Sequence, residues 1–226
     1  MNVVAGILLI ALPVAFNAFF AALAAVFEYP NILRQSTGEV LAKFRAGGSR
    51  LLLLWWGFAM SAVLFAPAAV LLSSVLAGAD ATLLATATVV GVLAAAVQFL
   101  GLVRWPFLVP YLARESEAAE GARADAIDIV FQSFNRYLGV AVGEHLGYLL
   151  TGAWSVLVGI AVLQTSVLPS WLGVAGIVIG AILALCSLEF VGPFERKGWR
   201  LAGAVVPIAY IAWSVWLVAV GIFVLV

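Results

Sequence analysis

The chain has 226 residues, 65% of them apolar and 10% charged, with a mean hydropathy of +1.19. A soluble domain is roughly half apolar and about a quarter charged, so this composition excludes a solvated globule. The 11 Lys and Arg balance the 11 Asp and Glu, which excludes the basic surplus that a nucleic-acid partner requires, and the single cysteine, Cys186, excludes an intrachain disulfide.

Six apolar stretches fill most of the chain: 3–26, 50–76, 82–104, 138–163, 171–191 and 201–225. Each reaches the ~20 residues that a helix needs to cross about 30 Å of hydrocarbon. Runs such as 149–163 and 202–226 are too long and too uniformly apolar for barrel strands, which alternate with period two over about ten residues. The expected fold is all-α: a polytopic membrane bundle of six transmembrane helices with short amphipathic cytoplasmic helices. Residues 1–226 form one transmembrane domain, because connections of at most about 25 residues cannot bury a core of their own.

The first span holds Pro13 and Asn17 and lacks a basic leader. Its apolar run exceeds that of a secretory signal, which predicts that it is retained as a span. Glu28-Tyr29-Pro30 ends it, since proline cannot continue a helix. Ser36 and Glu39 then have capping-box spacing, Val40, Leu41 and Phe44 recur at helical intervals, and Gly47-Gly48 stops the helix. With Lys43 and Arg45 around its other face, this connector is expected in the inner headgroup layer. Trp55, Trp56, Trp105 and Trp199 fall at the inner boundary and Trp171 at the outer one, where indole rings favour the interface.

Span 3 carries Gln98 and finishes at Arg104, and Pro106 and Pro110 are expected to end or kink it. A polar connection follows and turns amphipathic at Ile127, Val130, Phe131, Phe134 and Leu138, one apolar stripe of a helix running into span 4. In span 4, Glu144 and His145 lie about 10 Å deep at 1.5 Å per residue. Glu144, Tyr148, Thr151 and Ser155 share one face. Gly139, Gly143 and Gly147 form a neighbouring stripe that admits another helix, and Gly176 and Gly180 offer a comparable surface on span 5, so spans 4 and 5 are expected to pack together. Cys186 reads as a small buried residue of span 5, Glu189 lies near that span's inner end, and Pro207 is expected to bend span 6.

All 11 basic residues fall in or beside the connections after spans 1, 3 and 5. The opposite face has none. The positive-inside rule then places those loops in the cytoplasm of a cell membrane and both termini outside.

Ionisable groups at membrane depth raise a functional hypothesis by default. Here they are Glu144, His145, Glu189 and Arg104, with Tyr148 and Glu28 beside them, a polar pocket in the cytoplasmic half for a proton, a metal ion or a small polar ligand. The competing reading is an ion-paired network that holds helices in register, with Arg104 and Glu189 close enough to the boundary to snorkel. The spacing names no metal and no cofactor.

Several chemistries are excluded by inventory. One histidine cannot give bis-histidine haem ligation or an H-E-x-x-H site. Lys43 and Lys197 lie in connections, so no intramembrane lysine can form a Schiff base. No G-x-S-x-G elbow, P-loop or dinucleotide fingerprint occurs, and the two halves do not repeat each other as in inverted-repeat transporters.

Glu28-Tyr29-Pro30-Asn31-Ile32-Leu33-Arg34, Gly143-Glu144-His145-Leu146-Gly147-Tyr148 through Trp154, and Leu168-Pro169-Ser170-Trp171-Leu172-Gly173 together resemble a prokaryotic membrane family catalogued as domain of unknown function 4386. The resemblance covers nearly the whole chain. It implies a six-span or similar bundle in a bacterial or archaeal cytoplasmic membrane, implies no substrate, and places Glu28, Arg34, Glu144 and His145 in its recognisable segments.

The leading functional expectation is a non-enzymatic membrane protein. It is either an accessory or structural subunit, packing on other membrane subunits or on its own copies through the Gly139, Gly143, Gly147, Gly176 and Gly180 faces, or a small-ligand-binding bundle. The alternative is a transporter of protons, ions or small solutes through the cytoplasmic-half pocket. A second alternative is an intramembrane enzyme with Glu144 as general base and His145 as acid or ligand.

Overall fold

A backbone surrounded by hydrocarbon must satisfy its own hydrogen bonds, and uninterrupted helices do so. In the computed structural model, which describes residues 2–226, six helical stretches are long and apolar enough to cross a membrane. They are built from α1 (Asn2–Phe27), α2 (Thr37–Val63), α3 (Phe65–Val75), α4 (Ala81–Glu115), α5 (Ala122–Phe134), α6 (Gly147–Leu163), α7 (Ser170–Cys186) and α8 (Arg200–Leu225). The second span combines most of α2 with α3. The described residues contain no strand.

The capping box at the start of α2 forms as its spacing requires: the Ser36 amide donates to Glu39 Oε2 at 2.9 Å, and the Glu39 amide donates to Ser36 Oγ at 3.4 Å. Gly48, at φ +54° and ψ −152°, breaks α2 into an amphipathic first half and a spanning second half. Only glycine adopts such a conformation readily. The amphipathic half departs from the headgroup-layer expectation, because Val40, Leu41 and Phe44 are fully buried against the chain's own aromatic residues.

Three other expectations are corrected. Pro106 and Pro110 do not end span 3, for α4 continues through both to Glu115. Each proline removes one donor, which a long transmembrane helix tolerates. Its 35 residues reach about 50 Å at 1.5 Å per residue, well beyond the hydrocarbon layer. Trp55 and Trp105 are wholly buried rather than turned to the interface, whereas Trp56 and Trp171 are exposed as the belt reading requires. Finally, α5 runs into span 4 as expected, but Asn135–Leu146 winds as a π-helix, the wider i→i+5 form that is concentrated at functional sites.

Glycines set the helix contacts. In α6 and α7, a β-carbon at Gly180 would sit 2.5 Å from the Gly152 carbonyl oxygen, and one at Gly173 would sit 2.7 Å from that of Gly159. The stripe expected to meet span 5 meets α4 instead: Gly139 lies against Arg104, Gly143 against Gly101, and Gly147 against Gln98. Spans 4 and 5 do pack together, through Gly152 and Gly159 on the fourth. Gly176 and Gly180 face Trp216, Ser155 and Gly152, so all five glycines of the expected partner surfaces are occupied within the chain.

Two large apolar cores result, beside a small cluster of Cys186, Ala202 and Val206. One gathers Phe65, Leu72, Trp154, Leu172, Trp213 and Trp216. The other, at the end holding the long connections, gathers Phe27, Phe44, Trp55, Phe58, Trp105 and Phe131.

Candidate functional site

A cavity of about 440 Å³ is walled by residues of α1, α2, α4, the π-helix, α6 and α8. Its polar groups come from segments held by the contacts just described. The close approach of Gly143 to Gly101 sets the π-helix beside α4, which brings Glu144 and Arg104 to the same space. Tyr148, Gln98 and Tyr210 add further polar atoms, and the connection after α1 contributes Tyr29 and Arg34.

Arg104 is only 9% exposed, so it neither snorkels nor lies in a connection. It donates to the Gly101 carbonyl and, through Nη2, to Asn135 Oδ1 at 2.9 Å. Its guanidinium carbon lies 5.4 Å from the centroid of the Trp105 ring. These neutral partners satisfy donors but not charge. Among the described residues the ion pairs are Lys43–Glu28, Arg45–Glu117, Arg123–Glu115 and Arg136–Glu195. Arg104, Glu144 and Glu189 belong to none of them. A buried charge without a counter-charge is costly, and here opposite charges border one cavity without touching.

Two further cavities adjoin it. A second cavity of about 470 Å³ is bordered by Glu144, His145, Tyr148, Glu189, Arg136 and Glu195, among others. A third of about 370 Å³ is bordered by Arg34, Glu189, Lys197 and Arg200 with neighbouring backbone. Glu189 borders all three. Its position is fixed by the 3-10 turn Ser187–Phe190 and by its carbonyl, which accepts from the Trp199 amide at 2.7 Å.

Of the six residues expected to form the pocket, Glu144, Tyr148, Glu189 and Arg104 meet at the main cavity. His145 faces only the second cavity, with Nδ1 2.8 Å from the Ser187 carbonyl oxygen, a contact that ties span 4 to the end of span 5. Glu28 does not reach the cavity and pairs with Lys43 at 2.5 Å. Thr151 and Ser155, expected on the Glu144 face, are wholly buried. Gln98 Nε2 donates to Thr151 Oγ1 and Trp213 Nε1 donates to Ser155 Oγ, both at 2.9 Å, so these two hydroxyls join helices. Among the described residues no three His, Cys, Asp or Glu side chains converge as metal ligands.

Sequence reasoning missed Tyr29, Tyr210 and Ser214 as cavity residues. The spacing of Pro207, Tyr210, Ile211 and Ser214 along α8 carried a signal, for these positions form one stripe. Burial pushes the Tyr29 hydroxyl up to about 12, with the Glu144 charge adding to that and Arg104 opposing it. It therefore stays protonated near neutral pH and can donate into the cavity.

Tyr29, Arg34, Glu144 and Tyr148 lie in two of the segments on which the resemblance rested. A family model described as Domain of unknown function (DUF4386) matches residues 4–221. The chain belongs to that family. No curated protein and no solved structure matches it. In this DUF4386 member the match spans every element that walls the cavity.

Proposed function

We propose that this DUF4386 member is a ligand-binding protein of a prokaryotic cell membrane, with its basic connections in the cytoplasm and both termini outside. The ligand is a small organic molecule held in the main cavity by Arg104 and Glu144, with Tyr148 and Tyr29 positioning it. One observation carries this reading: a 9%-exposed arginine and two glutamates border the same cavity with no ion pair among them. A network built only to hold helices in register would close those pairs. At about 440 Å³ the space is within the range of small-molecule sites, which run from about 300 to 1,000 Å³.

Binding is favoured over permeation by the asymmetry of the bundle. The cavities all border Glu189 near the end with the long connections, while the buried Trp154, Trp213 and Trp216 core fills the remainder. A transporter would have to open that core.

The test is solvent extraction of the purified full chain followed by mass spectrometry of what copurifies, for wild type, Glu144→Gln and Arg104→Gln. A species near one per chain in the wild type, depleted in both variants at unchanged melting temperature, is the expected result. Equal recovery from all three, or no species in the wild type, overturns the reading.

A further inference from the structure

The main cavity borders both the lipid-facing surface and a balanced set of charged side chains. Its wall between α1 and α8 is made by Phe16, Asn17 and Phe20 on one helix and by Pro207, Ile211 and Ser214 on the other. Ile211 is 61% and Phe20 37% exposed, so residues of this wall also form the lipid-facing surface. α1 and α8 touch closely at Gly6 and Gly221, where a β-carbon at Gly221 would lie 2.8 Å from the Gly6 carbonyl oxygen. Towards the cavity they are bridged by a single side-chain hydrogen bond, Asn17 Nδ2 donating to Ser214 Oγ at 2.9 Å. Beyond it the two helices are lined with aromatic and aliphatic side chains, the composition of a slot for a hydrocarbon chain.

The polar end of the cavity offers two cations, Arg34 and Arg104, and two anions, Glu144 and Glu189. A simple cation would satisfy the glutamates and leave Arg104 buried without a counter-charge. A simple anion would do the reverse. A head group carrying both an anion and an ammonium meets both needs, the anion on Arg104 and the ammonium on Glu144, as charge-assisted hydrogen bonds.

We infer that the cavity takes a zwitterionic amphiphile from the bilayer through the gap between α1 and α8, such as a phospholipid or single-chain lysophospholipid with a primary-amine head. The inference rests on the binding reading above and adds the ligand's class and its route. The head group lies among Arg104, Glu144 and Tyr148, and the chain passes Phe20 and Ile211 into the membrane. The Asn17–Ser214 bond closes the gap behind the head group.

The test uses the full chain in detergent, delipidated and incubated separately with phosphatidylethanolamine, phosphatidylglycerol or water-soluble phosphoethanolamine, with retention read by native mass spectrometry. The lateral gap is closed reversibly by Asn17→Cys with Ser214→Cys in a Cys186→Ser background, bridged by a reducible bis-thiosulfonate. One phosphatidylethanolamine per chain, retained about ten-fold more than phosphatidylglycerol, is expected. Glu144→Gln should abolish that preference, Arg104→Gln should weaken retention of both lipids, and the bridge should block uptake until it is reduced. The reduced double-cysteine chain serves as its own folding control. Uptake of phosphatidylethanolamine through the bridged gap, or retention of phosphoethanolamine alone, overturns the lateral route while leaving ligand binding intact. Equal retention of the two lipids overturns the zwitterion assignment, and retention of none of the three overturns the ligand class even where extraction recovers another molecule.

Discussion

Trp105 lies flat on Trp55, with ring centroids 4.2 Å apart and planes inclined by 8°. Both rings are wholly buried, and Phe27 meets each of them edge-on at 5.5 and 6.0 Å. The stack joins α2 to α4 one residue beyond Arg104, so it fixes the stretch of helix that presents the guanidinium to the cavity.

Trp105→Ala should therefore destabilise the bundle by about 3–5 kcal/mol, the range for deleting a buried aromatic side chain. Trp105→Phe should lose less, since it keeps an apolar ring. Denaturant unfolding in detergent, followed by far-ultraviolet circular dichroism, measures both.

The α6–α7 contact makes a second prediction. A β-carbon at Gly173 would lie 2.7 Å from the Gly159 carbonyl oxygen, whereas one at Gly38 meets no atom within 4 Å. Gly173→Val should cost about 1–3 kcal/mol or more through overpacking and lower the yield of monodisperse protein in size-exclusion chromatography. Gly38→Ala should leave that yield unchanged.

The spans and the family were legible because hydrocarbon imposes length and apolarity on sequence directly. The capping box at Ser36 and the stop at Gly48 were legible because each acts within a few residues. The partner of the Gly139, Gly143 and Gly147 stripe was not, since a small-residue surface shows that a helix approaches but not which one. The i→i+5 winding of Asn135–Leu146 was not legible either, because those residues carry no composition signal for it. Arg104 was assigned to the boundary because Pro106 reads as a helix end, and the continuation of α4 to Glu115 carries it inside.

A pH dependence follows from Tyr29, whose hydroxyl is pushed up to about 12 by burial. Below its ordinary value of about 10 both folded and unfolded chains hold the proton. Between about 10 and about 12 the unfolded chain ionises first, so this group's contribution to stability falls as pH rises through that window. Tyr29→Phe should flatten the fall, as measured by unfolding midpoints across alkaline pH.

The proposed orientation predicts opposite labelling at two connections. In a Cys186→Ser background, Asp80→Cys should react with an impermeant maleimide applied to intact cells, while Glu120→Cys should react only after the cells are opened. Equal reaction of both from one side would contradict the placement of the basic loops.

The most direct measurement is an experimental structure of the purified chain in lipid nanodiscs. Density for a bound molecule touching both Arg104 and Glu144, continuing between Phe20 and Ile211, is the predicted result. An empty cavity in which Arg104 closes onto Glu144 as an ion pair would contradict the account.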